Sequence, residues 1–379
     1  MENKLITIGI PVYKAEKYIC NCLASIQIQT IRDELAIIIA KDNPGEDYEF
    51  VKDRYPDLDI TILECEKNTG PGLARQRCID AAKTEWITFI DADDVFYDAF
   101  ALESLKEEIE ENCIEIKSNF CEEVRTQDKF HIVWHSGEGD PWVFGRLYKI
   151  SFLKEYNIRF SSLRAMEDAE FNWKIKLLID QPNFPYFIKN IENETYLWRY
   201  SKTSITRIGK TENGGVALYT WDLGRIGEVV AAINIVKFLE QQNPCNPKII
   251  LFILEQMINE YFLYIQSLYN KPEFTTQIFF NAKRFYYNCY QKIENSFDKI
   301  LLKQAYTNWY NAHLEEMNQI IPPLTYLQFI EKIKKSNYGG EKEYKEIRKN
   351  FPSWVHELNQ QAGTMGKEDF IYAEGEEHL

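Results

Sequence analysis

The chain has 379 residues and a formal net charge of −14 at pH 7. Its hydrophobic content of 45% and charged content of 27% are ordinary for a globular protein, and the length allows two domains. The acidic balance argues against a protein that coats nucleic acid, because such proteins are normally basic. The many Tyr, Phe and Trp residues suit a protein that stacks sugars or bases, but they suit a thick core equally well.

Cysteine usage and hydropathy set the expected compartment. The eight cysteines are scattered and form no C-x-x-C pair, which makes a zinc site an unfavoured interpretation. Scattered thiols and an N-terminus without an apolar signal segment predict a cytoplasmic protein. The most apolar later run, Ile249–Leu254, is soon interrupted by polar residues, so we predict no transmembrane segment. Peripheral contact with a membrane surface stays open.

Apolar runs and helical periodicity alternate through the first part of the chain. The predicted strands are Leu5–Ile10 (ended by Pro11), Leu35–Ala40, Ile60–Cys65 and Trp86–Ile90. The predicted helices between them are Ala15–Gln29, Asp47–Arg54 and Leu73–Lys83. Such alternation is typical of βαβ units, so we predict an α/β fold with a doubly wound, mostly parallel sheet.

The pattern then changes towards the C-terminus. Helices are predicted at Ala99–Asn112, Tyr148–Tyr156 and Met166–Ile179, and extended segments at Ile114–Phe120, Phe130–His135, Phe184–Ile191 and Glu194–Trp198. Beyond Gly214 glycine is scarce and long helical segments dominate, at 216–241, 247–270, 274–294, 297–318 and 324–336. We therefore predict a first domain at 1–213, an all-α domain at 214–362 for acceptor docking or self-association, and a polar tail at 363–379.

Three carboxylates follow directly on the fourth predicted strand. The run Trp86–Ile90 reads as a buried strand, and Asp91, Asp93 and Asp94 come immediately after it. Carboxylates at this spacing repel one another, and oxygen ligands at the carboxyl end of a strand suit a divalent cation. The alternative is a solvated turn in which Asp94 caps the next helix.

Six motifs between Pro11 and Thr206 occur in a recognisable order. They are Pro11-Val12-Tyr13-Lys14, Asp42, Asn68-x-Gly70-x-Gly72-x-Ala74-Arg75, Asp91-Ala92-Asp93-Asp94, Glu167-Asp168, and Trp198-Arg199-Tyr200 with Ser204-Ile205-Thr206. In this order they resemble the motifs of the family 2 inverting glycosyltransferases, which have the GT-A fold. The chain departs from the family pattern at Lys14 and Gln76, where Asn is usual, and at Asn43-Pro44-Gly45, which replaces D-G-S.

The resemblance implies a nucleotide-diphosphate sugar as donor, with a UDP-sugar expected. The donor-binding residues that it implies are Pro11, Val12, Tyr13, Asp42, Asn68, Gly72, Arg75, Asp91, Ala92 and Arg199. Tyr13 would lie against the base, Asp42 would accept from a base N–H, and Arg75 would lie near the diphosphate. Without the family match, Asp42 reads as a turn residue and Arg75 as an exposed helix residue.

The resemblance also implies a metal ligand and a catalytic base. Asp93 would bind Mn²⁺ or Mg²⁺, and Asp91 would face the ribose or a metal-bound water. Asp168 would take the proton from the acceptor hydroxyl, which is the one base that a direct displacement needs. Because Glu167 and Asp168 open a helix, we expect the helix dipole to favour the ionised base. Whether His131 or His135 touches the metal is left open.

The function implied is that of a hexosyltransferase in surface glycan or glycopolymer synthesis. The acceptor could be a glycan, a polymer, a protein or a lipid-linked molecule, and we expect no nucleic-acid partner. The alternative function is a catalytically degenerate GT-A domain that binds a nucleotide sugar or a glycan. A nucleotidyltransferase is less favoured, because Pro11-Val12-Tyr13-Lys14-Ala15 is not a glycine- and basic-rich loop. Self-association through the helical domain stays open.

Overall fold

The structure is a computed structural model of the chain. It describes residues 4–126, 129–139, 141–163, 165–181, 183–201, 218–242, 252–256, 258–259, 288, 299–312 and 325–335. The chain divides into two compact units, Met1–Ser204 and Ile205–Leu379. The predicted boundaries at 213/214 and 362/363 lie outside the described residues.

Four parallel strands form the first half of the sheet, as predicted. They are β1 (Ile6–Val12), β2 (Leu35–Lys41), β3 (Ile60–Leu63) and β4 (Trp86–Phe89), in the spatial order β3-β2-β1-β4. Helices α1 (Ile19–Gln27), α2 (Phe50–Arg54) and α3 (Pro71–Ala81) connect them. The strands are apolar and β-branched, and all four residues of β4 are buried. The carboxyl ends of the four strands therefore meet at one edge of the sheet.

The second half of the sheet is mixed. Its elements are β5 (Val95–Phe96), α4 (Ala101–Lys106), β6 (Cys113–Thr126), β7 (Lys129–His135), β8 (Arg146–Lys149), α5 (Ile150–Glu155), α6 (Glu167–Ile179) and β9 (Phe187–Trp198). Strand β8 is antiparallel to both β4 and β6, whereas β9 is parallel to β6. The described sheet has nine strands in the order β3-β2-β1-β4-β8-β6-β9-β5, and β7 pairs with β6.

Several predicted elements differ in extent: Ile114–Phe120 extends to Thr126 as β6, and Phe184–Ile191 and Glu194–Trp198 form the single strand β9. Three further elements need a correction. Strand β1 continues through Pro11 to Val12. Proline has no N–H, but β4 pairs with β1 only as far as Gly9, so no hydrogen bond to β4 is lost at Pro11. The helix predicted at Ala99–Asn112 is the short α4, since the run of glutamates from Glu107 onward would place negative charge at a helix C-terminus.

The third correction concerns the predicted helix Tyr148–Tyr156. Its first residues belong to strand β8, where Tyr148 pairs with Ile87 of β4 and with Glu115 of β6. Tyr148 is fully buried there. Pairing with strands that are distant in sequence decides the local structure at this position, and a local periodicity cannot detect it.

The second unit is helical wherever it is described. Its longer helices are α7 (Leu218–Gln242), α8 (Lys299–Ala312) and α9 (Tyr326–Lys335). Tyr306 of α8 lies 5.8 Å from the ring of Tyr326 and 5.2 Å from that of Phe329, both on α9. Most of the predicted helix 247–270, all but one residue of the predicted helix 274–294 and the tail 363–379 lie outside the described residues. None of the described helices combines the length and apolar character that a membrane crossing requires.

Candidate active site

The predicted donor-binding residues gather where the parallel strands end. Tyr13 follows β1, Asp42 follows β2, Asn68 lies in the loop after β3, and Asp91 follows β4. In an open α/β sheet this edge is where ligands bind. The topology therefore brings together four residues that are far apart in the sequence.

Tyr13 is presented to solvent by a braced loop. Its side chain is 51% exposed, and the ammonium of Lys14 lies 5.0 Å from its ring centroid. Lys14 adopts a left-handed backbone with φ 51°, a conformation in which Asn is more usual than Lys. Its backbone N–H donates to Glu46 Oε1 over 2.7 Å. Tyr48 donates its hydroxyl to Glu46 Oε2 and accepts from the N–H of Ala15, which holds the loop from its other side.

Asp42 organises the loop that follows β3. Its carboxylate accepts from the Thr69 N–H at 2.7 Å, from the Thr69 hydroxyl at 2.9 Å and from the Gly70 N–H at 2.9 Å. A carboxylate offers about four acceptor positions, so these bonds leave room for one more. In the same loop Asn68 Oδ1 is buried without a hydrogen-bond partner in the described part of the chain. Such an atom suits a donor group from a ligand.

Arg75 links the acidic segment, which is Asp91–Asp94, to the start of α6. The guanidinium is buried and donates to Asp91 Oδ1 and to Glu167 Oε1, each over 2.8 Å. Gly72, one turn earlier on α3, allows close approach of α6 and of the loop before it, because a Cβ there would lie 3.0 Å from Glu167 Cγ and 2.6 Å from the carbonyl oxygen of Ser161. The predicted diphosphate contact, Arg75, thus already holds two carboxylates in fixed positions.

Asp94 is a buried structural carboxylate and not a helix cap. It accepts from the Tyr196 hydroxyl over 2.5 Å and from the Arg199 N–H over 2.8 Å. The same hydroxyl accepts from the Asp91 N–H over 3.2 Å, so β9 holds both ends of the Asp91–Asp94 turn. Burial, and then the charges of Asp93 and Asp91, raise the pKa of Asp94 well above its ordinary value. The capping alternative is wrong, since α4 starts only at Ala101.

Asp168 lies in the first turn of α6, next to Glu167. Its Oδ1 accepts from the N–H of Ala169 over 2.8 Å. Burial, and then the charge of Glu167, raise the pKa of Asp168 to about 7, although Arg75 acts in the opposite direction. The expectation that the helix dipole favours the ionised form is therefore wrong in its net effect. A carboxylate with a pKa near neutrality is a stronger base than an ordinary one.

The remaining residues predicted from the sequence are buried or contact other side chains of the protein. Val12 and Ala92 are buried, and Val12 contributes its carbonyl, which accepts from the Asp42 N–H over 2.8 Å. The side chain of Arg199 forms an ion pair with Glu123 over 3.8 Å. His135 contacts Glu122 over 3.0 Å and stacks on a phenylalanine ring of β6. The Ser204-Ile205-Thr206 motif lies outside the described residues.

A divalent cation fits the acidic segment on the chemistry of its donors. Asp91 and Asp93 are both partly exposed. Their negative charges, together with burial, raise the pKa of Asp94, which shows that negative charge is concentrated here. The described residues contain no cluster of three side chains able to hold a metal alone. Mg²⁺ commonly uses only one or two carboxylates together with substrate phosphates, so such a cluster is not needed.

Sequence reasoning missed two residues of the site. Glu46 braces the Tyr13 loop, and Tyr196 clamps the Asp91–Asp94 turn. Glu46 stands in a turn cluster and Tyr196 in a strand, where a glutamate and a tyrosine carry no local signal. Their roles depend on contacts with residues 32 and 102 positions away.

Comparisons with known proteins agree with this geometry. The family model described as glycosyl transferase family 2 matches residues 7–162. EpsH of Bacillus subtilis (strain 168), named as a glycosyltransferase, is 25% identical over 243 residues, which cover 58% of this chain and 68% of EpsH. The poly(ribitol-phosphate) beta-glucosyltransferase of Bacillus spizizenii is 36% identical over 94 residues, which cover 24% of this chain and 15% of that protein.

The fold has a counterpart among solved structures. The crystal structure of S. aureus TarS 1-349 in complex with UDP superposes with a TM-score of 0.54 at 17% sequence identity, over 88% of this chain and 92% of that chain. At this identity the likeness concerns the fold. Residues 7–162, which carry the motifs at the ends of the parallel strands, thus match the glycosyl transferase family 2 model, and the mixed, mostly parallel sheet is of the GT-A type.

Proposed function

We propose that this enzyme is a metal-dependent inverting glycosyltransferase that moves a sugar from a UDP-sugar to a hydroxyl of a glycopolymer or surface glycan. The observation that carries the proposal is the position of Arg75, which bonds both Asp91 of the acidic segment and Glu167 beside Asp168. One buried cation thus connects the residues expected to hold the donor with the expected base. The UDP bound by TarS supports the choice of donor, and the polymer in the name of the Bacillus spizizenii enzyme supports a polymeric acceptor without specifying its charge.

On the donor side, each residue has one task. The half-exposed ring of Tyr13 stacks on the base, a contact worth about 1–3 kcal/mol. Asp42 uses its remaining acceptor position, and Asn68 its unpartnered oxygen, for N–H or O–H groups of the nucleoside. Asp93 would hold Mn²⁺ or Mg²⁺, which would supply positive charge at the departing diphosphate.

On the acceptor side, Asp168 removes the proton. The acceptor hydroxyl transfers its proton to Asp168 while its oxygen forms a bond to the anomeric carbon. The bond from that carbon to the diphosphate oxygen breaks, and the nucleoside diphosphate leaves with the bonding electrons. Attack opposite the leaving group inverts the anomeric configuration. A single base suffices, because no covalent intermediate forms.

A donor screen tests this function directly. Thermal shifts of the chain are measured with UDP-, GDP- and dTDP-sugars, each with and without Mn²⁺. We expect a UDP-sugar to raise the melting temperature only when the cation is present, and Asp93→Ala to abolish that increase. Asp53→Ala is the matched control, since Asp53 is an exposed aspartate on α2, outside the acidic segment. A shift by a GDP-sugar alone, or equal shifts without cation, would contradict the donor or the metal assignment.

A second assay with the same donors, which measures release of the nucleoside diphosphate, separates catalysis from simple binding. A degenerate binding domain would bind a donor without releasing the nucleoside diphosphate. We expect slow donor hydrolysis by the unmodified chain, measured as UDP release, and its loss in Asp168→Asn. Donor binding without any release, with or without acceptors, would favour the binding domain.

A further inference from the structure

A cavity of about 210 Å³, lined by both polar and apolar groups, lies beside the helix that carries Asp168. Its walls are the later turns of α6, the loop between β7 and β8, and residues of β6, β8 and β9. This volume equals that of about seven water molecules, which suits one ring of a small ligand better than a whole nucleotide. None of the donor-binding residues predicted from the sequence lines it.

The cavity lies along the turns of α6 that follow the base, and its lining residues turn gradually away from the face of Asp168. Its lining residues Asn172, Lys176 and Asp180 follow Asp168 at intervals of four residues. Residues four apart lie on one side of a helix, and each step advances about 6 Å along the axis. A ligand in the cavity would therefore lie roughly one to three helical turns from the atom that accepts the proton.

The walls of the cavity are fixed by buried contacts. Asn172 donates through Nδ2 to the carbonyls of Pro141 and Trp142 and accepts from the Tyr148 hydroxyl. These bonds fasten the loop to α6. Gly145 has φ 61° and lies against the side chains of β6 and β9, so the loop returns to the sheet where a larger residue would clash. The cavity is thus preformed in the described structure.

Its lining has the composition of a carbohydrate site. The indole of Trp173 is 39% exposed, although it lies on a helix that is otherwise largely buried. Lys176 Nζ lies 5.1 Å from its ring centroid, and Asn190 contributes an exposed amide. An aromatic face takes the C–H face of a sugar, and the surrounding ammonium and amide groups bond to its hydroxyls.

The charges favour a neutral ligand over an anionic one. The cationic lining residues are Lys117, Arg146 and Lys176, and the anionic ones are Glu138 and Asp180. Arg146 is nearly fully buried and bonds Glu115 over 2.5 Å, so its charge is already compensated. Two cations then face two anions. A phosphate would meet no net positive charge, whereas sugar hydroxyls can bond to both kinds of group.

We propose that this cavity is an acceptor subsite that binds one sugar unit of a neutral glycan chain, away from the unit whose hydroxyl faces Asp168. The inference rests on the proposed glycosyl transfer for its role, but not for its ligand chemistry. It assigns to Trp173 the stacking contact and to Lys176 a hydroxyl contact. The acceptor is accordingly an oligosaccharide or polymer of neutral sugars, and a single sugar unit binds weakly.

Binding of short neutral oligosaccharides to the full chain tests the subsite. Saturation-transfer NMR and calorimetry are run with β-1,4-linked glucose and N-acetylglucosamine oligomers of increasing length, and with poly(ribitol phosphate). We expect saturable binding that strengthens beyond one unit, and a loss of about tenfold in affinity in Trp173→Ala, or about 1.4 kcal/mol. Trp134→Ala is the matched control, because Trp134 is an exposed tryptophan outside the cavity.

The outcomes divide cleanly. The proposal is overturned if no neutral oligomer binds, if Trp173→Ala and Trp134→Ala weaken binding equally, or if poly(ribitol phosphate) binds through Trp173 while the neutral oligomers do not. Lys176→Gln, which leaves the ring in place, should weaken binding of the same oligomers. In transfer assays Trp173→Ala should raise the acceptor KM and leave donor hydrolysis unchanged.

Failure of the subsite and failure of the proposed function are distinguishable. Donor binding is measured on the same Trp173→Ala protein, which also shows that the variant is folded. Glycan binding without any nucleotide-sugar binding would refute the proposed function but not the subsite. Donor binding with normal hydrolysis and no glycan binding would refute the subsite alone.

Discussion

At the scale of single residues, the site shows how environment sets chemistry. Asp168 and Asp94 are both aspartates with a raised pKa, yet they face different partners. Both carboxylate oxygens of Asp94 accept hydrogen bonds, from the Tyr196 hydroxyl and the Arg199 N–H, and these bonds fix the conformation of the acidic segment. The one hydrogen bond described for Asp168 is local, to the N–H of Ala169, and that difference supports its role as the base.

The raised pKa of Asp168 predicts a pH-dependent rate. Because the base acts only when deprotonated, transfer should rise with pH through about 7, the pKa of this carboxyl, and then level off. Asp168→Asn should lose about 10²–10⁴-fold in rate while donor affinity is kept. Single-turnover transfer across a pH series measures both. A flat profile between pH values on either side of that pKa would contradict the assignment.

The same shift predicts a stability gain in the inactive variant. The folded chain holds a proton on Asp168 up to about pH 7, whereas the ordinary pKa is 3.8. The folded state therefore binds more protons in that window, and this group's contribution to the free energy of unfolding falls as pH rises. Above pH 7 we expect Asp168→Asn to melt at a higher temperature than the unmodified chain. If Asp168→Asn and the unmodified chain melt at equal temperatures both near pH 3.8 and above pH 7, burial does not penalise the charge of Asp168.

Tyr196 should act on the donor site without touching the donor. Tyr196→Phe removes the hydroxyl that bonds both Asp94 and the Asp91 N–H. Hydrogen bonds to charged groups contribute about 1.5–3 kcal/mol, so we expect a loss of that size in urea unfolding together with weaker donor binding. Tyr97→Phe, at an exposed tyrosine, is the control. A stability loss with unchanged donor affinity would assign Tyr196 to packing alone.

At the scale of elements, the site depends on how closely α3 approaches α6. Arg75 of α3 bonds Glu167 of α6, and Gly72 allows the helix starts to come within reach. The structure places a buried charge network where two helices begin. Neither helix has a capping side chain of its own, so the contacts between the two helices take over part of that role.

Gly72→Ala should disturb this approach. The added methyl would lie 2.6 Å from the Ser161 carbonyl oxygen and 3.0 Å from Glu167 Cγ, so α3 must move away from the start of α6 or the loop at Ser161 must shift. Overpacking of this kind costs about 1–3 kcal/mol, and we expect the transfer rate to fall more than donor affinity. Lys83→Ala, at an exposed residue just beyond α3, is the control for the loss of stability. Unchanged transfer would show that the helix approach is not critical.

At the scale of the whole molecule, all predicted site residues belong to the first unit. They range from Pro11 to Arg199, within Met1–Ser204. We expect a bound UDP-sugar with Mn²⁺ to increase amide hydrogen-exchange protection in the loops after β1, β2, β3 and β4. Protection in α8 and α9 should stay the same in that experiment. Protection appearing first in the second unit would place the donor elsewhere.

Much of the first unit could be predicted from the sequence. The alternation of apolar runs and helices located the parallel strands, because that periodicity is local and is set by burial on both faces. The order of the motifs then indicated the family. The later strands are harder to predict: the periodicity predicts a helix over β8 and no strand at β5, because both strands exist through pairing with distant segments.

The sequence by itself determined which residue types stand at the ends of the strands, and so the resemblance to the family and the donor-side chemistry that we propose. Only the tertiary structure decided what those residues touch. Arg75 became a bridge between Asp91 and Glu167, Asp94 became a buried brace, and the pKa of Asp168 rose to about 7. The physical reason is that burial and the charges of sequence-distant neighbours act through space, and a local pattern carries no record of them.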